Sequence, residues 1–201
     1  MNRFEYDDKM QRKIRDEILC PRLYEKYSMN GRYVCIDKGR MATLLQKRYS
    51  VDVVCQSQKN HGEAVFIEEK IVRFNKKPYT SFTLEIKSCT IKGRESDGWM
   101  VYGEADILNY VMCQSADSFL LPYYLIPFQK LKKEFWKEDI NKFADTFTDQ
   151  INRTLCKIVP IKWIREKVGF YNGLIELNNK ENKLIENFNL SHYKLFKKGI
   201  S

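Results

Sequence analysis

Asp52, Glu68, Lys70 and Glu85 sit in three consecutive runs of strand-forming residues, 51–56, 64–74 and 79–89, separated by the turn formers Asn60 and Gly62 and then Asn75 and Pro78. The runs read as an antiparallel meander. A first turn centred near Asn60 sets Asp52 beside Glu68, because each lies eight residues from the bend. A second, centred between Lys76 and Lys77, sets Glu68 opposite Glu85. Side chains alternate along a strand, so Lys70 shares the face of Glu68, while Thr83 and Lys87 share that of Glu85 and leave Phe82, Leu84 and Ile86 for a core.

Three carboxylates in a row across neighbouring strands repel one another, and packing alone would not select them. A cation among them removes the conflict. Hard oxygen donors suit Mg²⁺, which takes one or two carboxylates and leaves its other positions to water and substrate phosphate, with Mn²⁺ as the natural substitute. A lysine beside the ion can orient an attacking water and neutralise charge on the phosphate. The chemistry is metal-assisted hydrolysis of a phosphodiester. The competing account is structural, with these acids merely pairing across strands with Lys70, Arg73 and Lys87.

Asp52, then fifteen residues, then Glu68-Glu69-Lys70 on a run flanked by Val65, Phe66 and Ile67, resembles the signature of the PD-(D/E)XK nuclease superfamily. Restriction endonucleases, archaeal Holliday-junction resolvases and many phage and repair nucleases belong to it. The likeness covers roughly residues 10–135, and Val51 stands where the signature often has proline. It implies Mg²⁺ held by Asp52, Glu68 and the main-chain carbonyl of Glu69, a water positioned by Lys70, and Glu85 holding a second ion or steering the first. A helix before the sheet often adds an acid in that fold, and Glu17 is the candidate. Gly98-Trp99 followed by Ala105-Asp106 also resembles portions of several such nucleases. Many relatives cut duplex DNA as dimers, which makes a homodimer worth testing. A second Glu-x-Lys, Glu85-Ile86-Lys87, keeps open a site built from Asp52 or Glu69 with Glu85 and Lys87.

With 201 residues, 43% of them hydrophobic, the chain can bury one well-formed core. Its net charge of +9 favours a polyanionic partner, although many basic proteins never touch nucleic acid. Cys20, Cys35, Cys55, Cys89, Cys113 and Cys156 are scattered singly, and with only His61 and His192 no zinc module is spelled out. They read as reduced core residues of a cytoplasmic protein. No secretory signal is apparent, and the longest apolar run, 119–128, contains two prolines and is too short to span a membrane.

The elements that must position the four residues follow from periodicity. Phe4, Met10, Ile14, Ile18, Tyr24 and Tyr27 predict an amphipathic helix over 3–29, kinked or split at Pro21. A short strand over 32–37 and a helical segment over 40–48 feed the meander, and Gln46 lies close enough upstream of Asp52 to bond to the site. Lys92 and Arg94 in a polar loop suit a phosphate backbone. Glu104 and Asp106 read as polar residues at the start of a strand. Residues 118–136 combine a strand with a helix from near Pro127, on which Lys130, Lys132, Lys133 and Lys137 could track phosphates or form a solvated face. Ile140, Phe143, Phe147 and Ile151 predict a helix over 138–156; a short strand over 156–164 that Pro160 places at an edge or ends, a short helix over 183–188 and a basic, aromatic ending over 192–198 complete the chain.

The expected architecture is α/β: a mixed central sheet with an antiparallel meander flanked by helices, restriction-endonuclease-like, over 1–165, and a polar, partly basic C-terminal extension over 166–201. The expected activity is that of a Mg²⁺-dependent nuclease acting on DNA. The alternative is a non-catalytic nucleic-acid-binding or interaction protein on the same scaffold.

Overall fold

The chain builds a mixed seven-stranded sheet and a smaller antiparallel four-stranded sheet, in a computed structural model that describes residues 3–36, 44–57, 63–89, 95–115, 120–147, 154–177 and 182–186. The larger sheet has the order β1 (Ser28–Cys35), β2 (Val53–Ser57), β3 (Ala64–Arg73), β6 (Ile107–Cys113), β7 (Leu120–Pro127), β10 (Tyr171–Leu177), β11 (Asn182–Glu186). The smaller one runs β5 (Glu95–Asp97), β4 (Ser81–Cys89), β9 (Leu155–Pro160), β8 (Ala144–Phe147). In the larger sheet β3 and β6 are parallel neighbours and the other pairs are antiparallel. The protein is thus a mixed α/β structure.

Each face of the larger sheet is covered by a different layer. On one side the N-terminal helix lays Met10, Ile14, Ile18, Leu19 and Leu23 against Val53, Ile67, Ile71, Val111 and Tyr123. On the other, Phe82, Leu84 and Ile86 of β4 join Leu108, Tyr110 and Met112 of β6 and Phe128, Leu131 and Phe135 of the helix Phe128–Lys137. Burying one such aliphatic or aromatic side chain contributes about 1.5–3 kcal/mol, so both layers are strongly held. The Phe82 and Tyr110 rings stand 4.3 Å apart, and the Thr83 hydroxyl is 3.0 Å from that of Tyr110, which fixes β4 over β6.

The expected three-stranded meander is overturned at its third strand. β2 and β3 form the hairpin, but the chain leaves β3 through bends at 75–77 and enters the other sheet, so β4 never pairs with β3. Burial explains the choice. Leu108–Cys113 is a continuous buried run, which requires a central strand covered on both faces, and it takes the edge of β3. β4 alternates buried Phe82, Leu84 and Ile86 with half-buried Thr83 and Glu85, the pattern of a strand with one face open.

Three helix expectations also change. The N-terminal helix is continuous from 3 to 27, but Arg15–Tyr24 is wound as a π-helix that takes in Pro21 without a split. Of the helix expected over 138–156, a 3₁₀ turn at Ile140–Lys142 and strand β8, largely exposed at the edge of the smaller sheet, take the place up to Phe147, and 148–153 lie outside the described residues. β11 takes the place of the helix expected over 183–188 as far as Glu186, the last described residue, and with β10 widens the larger sheet. The strand expected over 156–164 ends at Pro160, and a helix, Ile161–Lys167, follows. Residues 92, 94 and 192–198, singled out for phosphate or base contacts, lie outside the described residues. Among the described residues no helix is long and apolar enough to cross a membrane.

Candidate functional site

The β2–β3 register pairs Val53 with Ile67, Val54 with Phe66, Cys55 with Val65 and Gln56 with Ala64. Extended by one residue it sets Asp52 opposite Glu68, as a turn centred on residue 60 requires. Asp52 Oδ2 accepts the Glu69 N–H at 2.9 Å, Oδ1 accepts the Gln46 side-chain amide at 3.3 Å, and the carboxylate lies within hydrogen-bonding reach of Glu68. Glu68 and Lys70, alternate residues of β3, share that face, with Glu68 Oε1 3.4 Å from Lys70 Nζ. Lys70 is also placed over the Trp99 ring, 5.2 Å from its centroid.

Glu85 belongs to this cluster by a route the sequence does not suggest. It arrives from β4 in the other sheet, and its charge acts on Lys70 across the space between the sheets. The close approach of two backbones holds it there. The Gly98 N–H donates to the Ile86 carbonyl at 2.8 Å, and a Cβ at Gly98 would stand 2.5 Å from the Glu85 carbonyl oxygen.

The electrostatics follow from burial. The Glu68 side chain is only 5% exposed. Desolvation pushes its pKa up to about 8, with Asp52 adding repulsion while Lys70 and the Ser50 hydroxyl, which donates to it, pull the other way. Burial likewise raises Glu85, opposed by Lys70. For Lys70, burial works against the charge, yet Glu68, Glu85 and Asp52 together hold its pKa above the ordinary lysine value. One ammonium therefore faces three carboxyl groups, one of which takes up a proton readily. That excess of negative charge is what a divalent cation would neutralise.

Glu69, expected to offer the ion its main-chain carbonyl, turns its side chain away from the cluster. Its carboxylate points to the opposite face of the sheet, where Arg15 Nε meets Oε2 at 2.6 Å and the Tyr24 hydroxyl donates to Oε1. Asn109 in turn donates to the Tyr24 hydroxyl at 2.8 Å. A central strand must alternate, so Glu69 cannot share a face with Glu68 and Lys70. Only its main chain is left at the site, where its N–H holds Asp52.

The second Glu-x-Lys is split by an irregularity in the β4–β9 pairing between Glu85 and Lys87, and Lys87 Nζ lies 3.6 Å from Glu95, both residues exposed. Glu17 is exposed, and the residue of its helix that reaches the Asp52 side is Arg15, 4.0 Å away. Asp106 clasps the fold: its carboxylate accepts the Phe66 N–H and its carbonyl accepts that of Phe128, each at 2.8 Å. Of the four lysines, Lys130 donates to the Val168 carbonyl, Lys132 to those of Val101 and Gly103, and Lys137 pairs with Glu134. These three are occupied internally.

Sequence reasoning missed Arg15, Ser50 and Tyr102, and it singled out Trp99 only within the Gly98-Trp99 segment, without a place beside Lys70. Ser50 is buried and left-handed, with φ of 54°, at the end of the helical turn Leu45–Tyr49, and its side chain bonds both Glu68 and Tyr102. Such a conformation costs a non-glycine residue about 1–3 kcal/mol and tends to persist where a site demands it. No signal in the sequence distinguishes this serine from any other. Comparisons with protein-family models, with curated proteins and with solved structures found no match.

Proposed function

We propose that this protein is a metal-dependent nuclease, acting on DNA, with a restriction-endonuclease-like core formed by the N-terminal helix and strands β2, β3 and β6. The observation that carries the reading is the meeting of Asp52, Glu68 and Lys70 on one face of a hairpin, with Glu85 brought to the same Lys70 from the other sheet. Asp52 and Glu68 are the ligands for Mg²⁺ or Mn²⁺, and the donor set fits, being hard oxygen from adjacent strands. When bound, the ion supplies Lewis-acid polarisation of the phosphate and a more acidic water. Lys70 orients that water and offsets charge on the phosphate, while Glu85 keeps Lys70 protonated. Gln46 and the Glu69 N–H hold Asp52 in place. The net charge of +9 favours a polyanionic substrate.

A structural reading competes, because Glu68 and Lys70 are already paired at 3.4 Å and Glu68 is nearly buried. One experiment separates the two. The protein is incubated with plasmid, linear, single-stranded and branched DNA and with RNA, in Mg²⁺, Mn²⁺ or chelator. Metal-dependent cleavage that Asp52→Ala and Lys70→Ala abolish supports the nuclease, and full activity in either variant refutes the assignment. Salt-sensitive retention without cleavage identifies a binder on the same scaffold; neither cleavage nor retention leaves the structural cluster.

A further inference from the structure

A second group of metal-ligating side chains lies behind the larger sheet, away from Glu68 and Lys70. Asp16 and Cys20 are four residues apart on the π-helical stretch, and Cys35 is the last residue of edge strand β1. Cys20 Sγ and Cys35 Sγ stand 3.1 Å apart, and a carboxylate oxygen of Asp16 lies within 4.8 Å of both. Asp16 is exposed, Cys35 half-buried and Cys20 buried, so the group is open to solvent on the carboxylate side.

We propose that Asp16, Cys20 and Cys35 bind Zn²⁺ or a similarly borderline-soft divalent ion, with water in the fourth position. Around a tetrahedral ion with Zn–S near 2.3 Å and Zn–O near 2.0–2.2 Å, donor atoms are separated by roughly 3–4 Å, close to the 3.1 Å between the two sulfurs and the bound of 4.8 Å on the whole group. Two thiolates and one carboxylate select such an ion over Mg²⁺ or Ca²⁺, which take oxygen alone. The bound ion clips the helix to the outermost strand of the sheet. That helix also carries Arg15 and Tyr24, the partners of Glu69, so the clip braces the layer behind β3. This proposal is independent of the nuclease reading.

The test is titration of the full-length, reduced, metal-free protein with Cd²⁺ under anaerobic conditions, followed by the ultraviolet thiolate-to-cadmium absorption. One equivalent is expected to saturate the signal; Zn²⁺ displaces it and excess Mg²⁺ does not. Cys20→Ser and Cys35→Ser each lose it, with circular dichroism confirming the fold. Asp16→Asn, at an exposed position, keeps the fold and weakens binding about tenfold or more. Absence of the absorption in the wild-type protein, its persistence in the Cys20→Ser/Cys35→Ser double variant, or wild-type affinity in Asp16→Asn overturns the site. Asp52→Ala and Lys70→Ala are expected to take up Cd²⁺ as the wild type does, so the outcome is separable from any cleavage result.

Discussion

Arg15 and Tyr24, nine residues apart on one helix, both hydrogen-bond the carboxylate of Glu69. In an α-helix nine residues make two and a half turns and place two side chains on opposite faces. The π-helix between them has roughly 4.4 residues per turn, so nine residues complete about two turns and bring both to the same carboxylate. The widened winding thus gives a buried acid in the middle of the sheet its cation and its hydroxyl donor.

Removing that cation strands a buried charge. Arg15→Met is expected to cost about 3–5 kcal/mol, and Tyr24→Phe about 1.5–3 kcal/mol, in urea unfolding at pH 7. The two losses are expected not to add, since both partners act on one carboxylate. A change below about 1 kcal/mol for Arg15→Met would show that Glu69 tolerates burial without it.

The pH dependence has a defined sign. Glu68 is held at about 8 in the folded protein, above its unfolded value, so the native state binds the extra proton. Its contribution to stability is present below about pH 4.5 and is lost as pH rises towards 8. Glu68→Gln is expected to remove that decline and to be the more stable protein at pH 8. Adding Mg²⁺ should raise the thermal midpoint of the wild type more at pH 8 than at pH 6, because protons compete with the ion at Glu68. No effect of Mg²⁺ at either pH would favour the structural account of the cluster.

The two Glu-x-Lys pairs make opposite predictions. Lys70 sits among Glu68, Glu85 and Trp99, whereas Lys87 is exposed and faces Glu95 of the edge strand β5. Lys70→Ala is expected to lower metal-dependent cleavage by roughly 100-fold or more, and Lys87→Ala to leave it near the wild-type rate. The reverse ranking in a single-turnover assay would move the site to β4.

Gly98 tests whether Glu85 must be held where it is. A methyl group there meets the Glu85 carbonyl at 2.5 Å, a backbone atom that cannot swing away. Gly98→Ala is expected to destabilise the protein by about 1–3 kcal/mol and to displace β4 at Glu85. Unchanged urea midpoint and cleavage would mean that the two backbones separate freely.

The pairing of Asp52 with Glu68 was legible in the sequence, because a short hairpin ties register to the centre of its turn and residue 60 is equidistant from both. So were the strand ending at Pro127 and the helix that follows it, where proline and periodicity act locally. What the tertiary structure decided is which strands become neighbours. Alternation in β4 reports that one face is buried but not against what, and only the fully buried run of β6 claiming the edge of β3 sends Glu85 to the other sheet. The same holds for Asp16, Cys20 and Cys35, whose spacing carries no metal signature and whose donor atoms meet only when β1 packs beside the widened helix. Local chemistry specifies faces and turns; contacts between residues distant in the chain depend on the packing of the whole, which no single segment encodes.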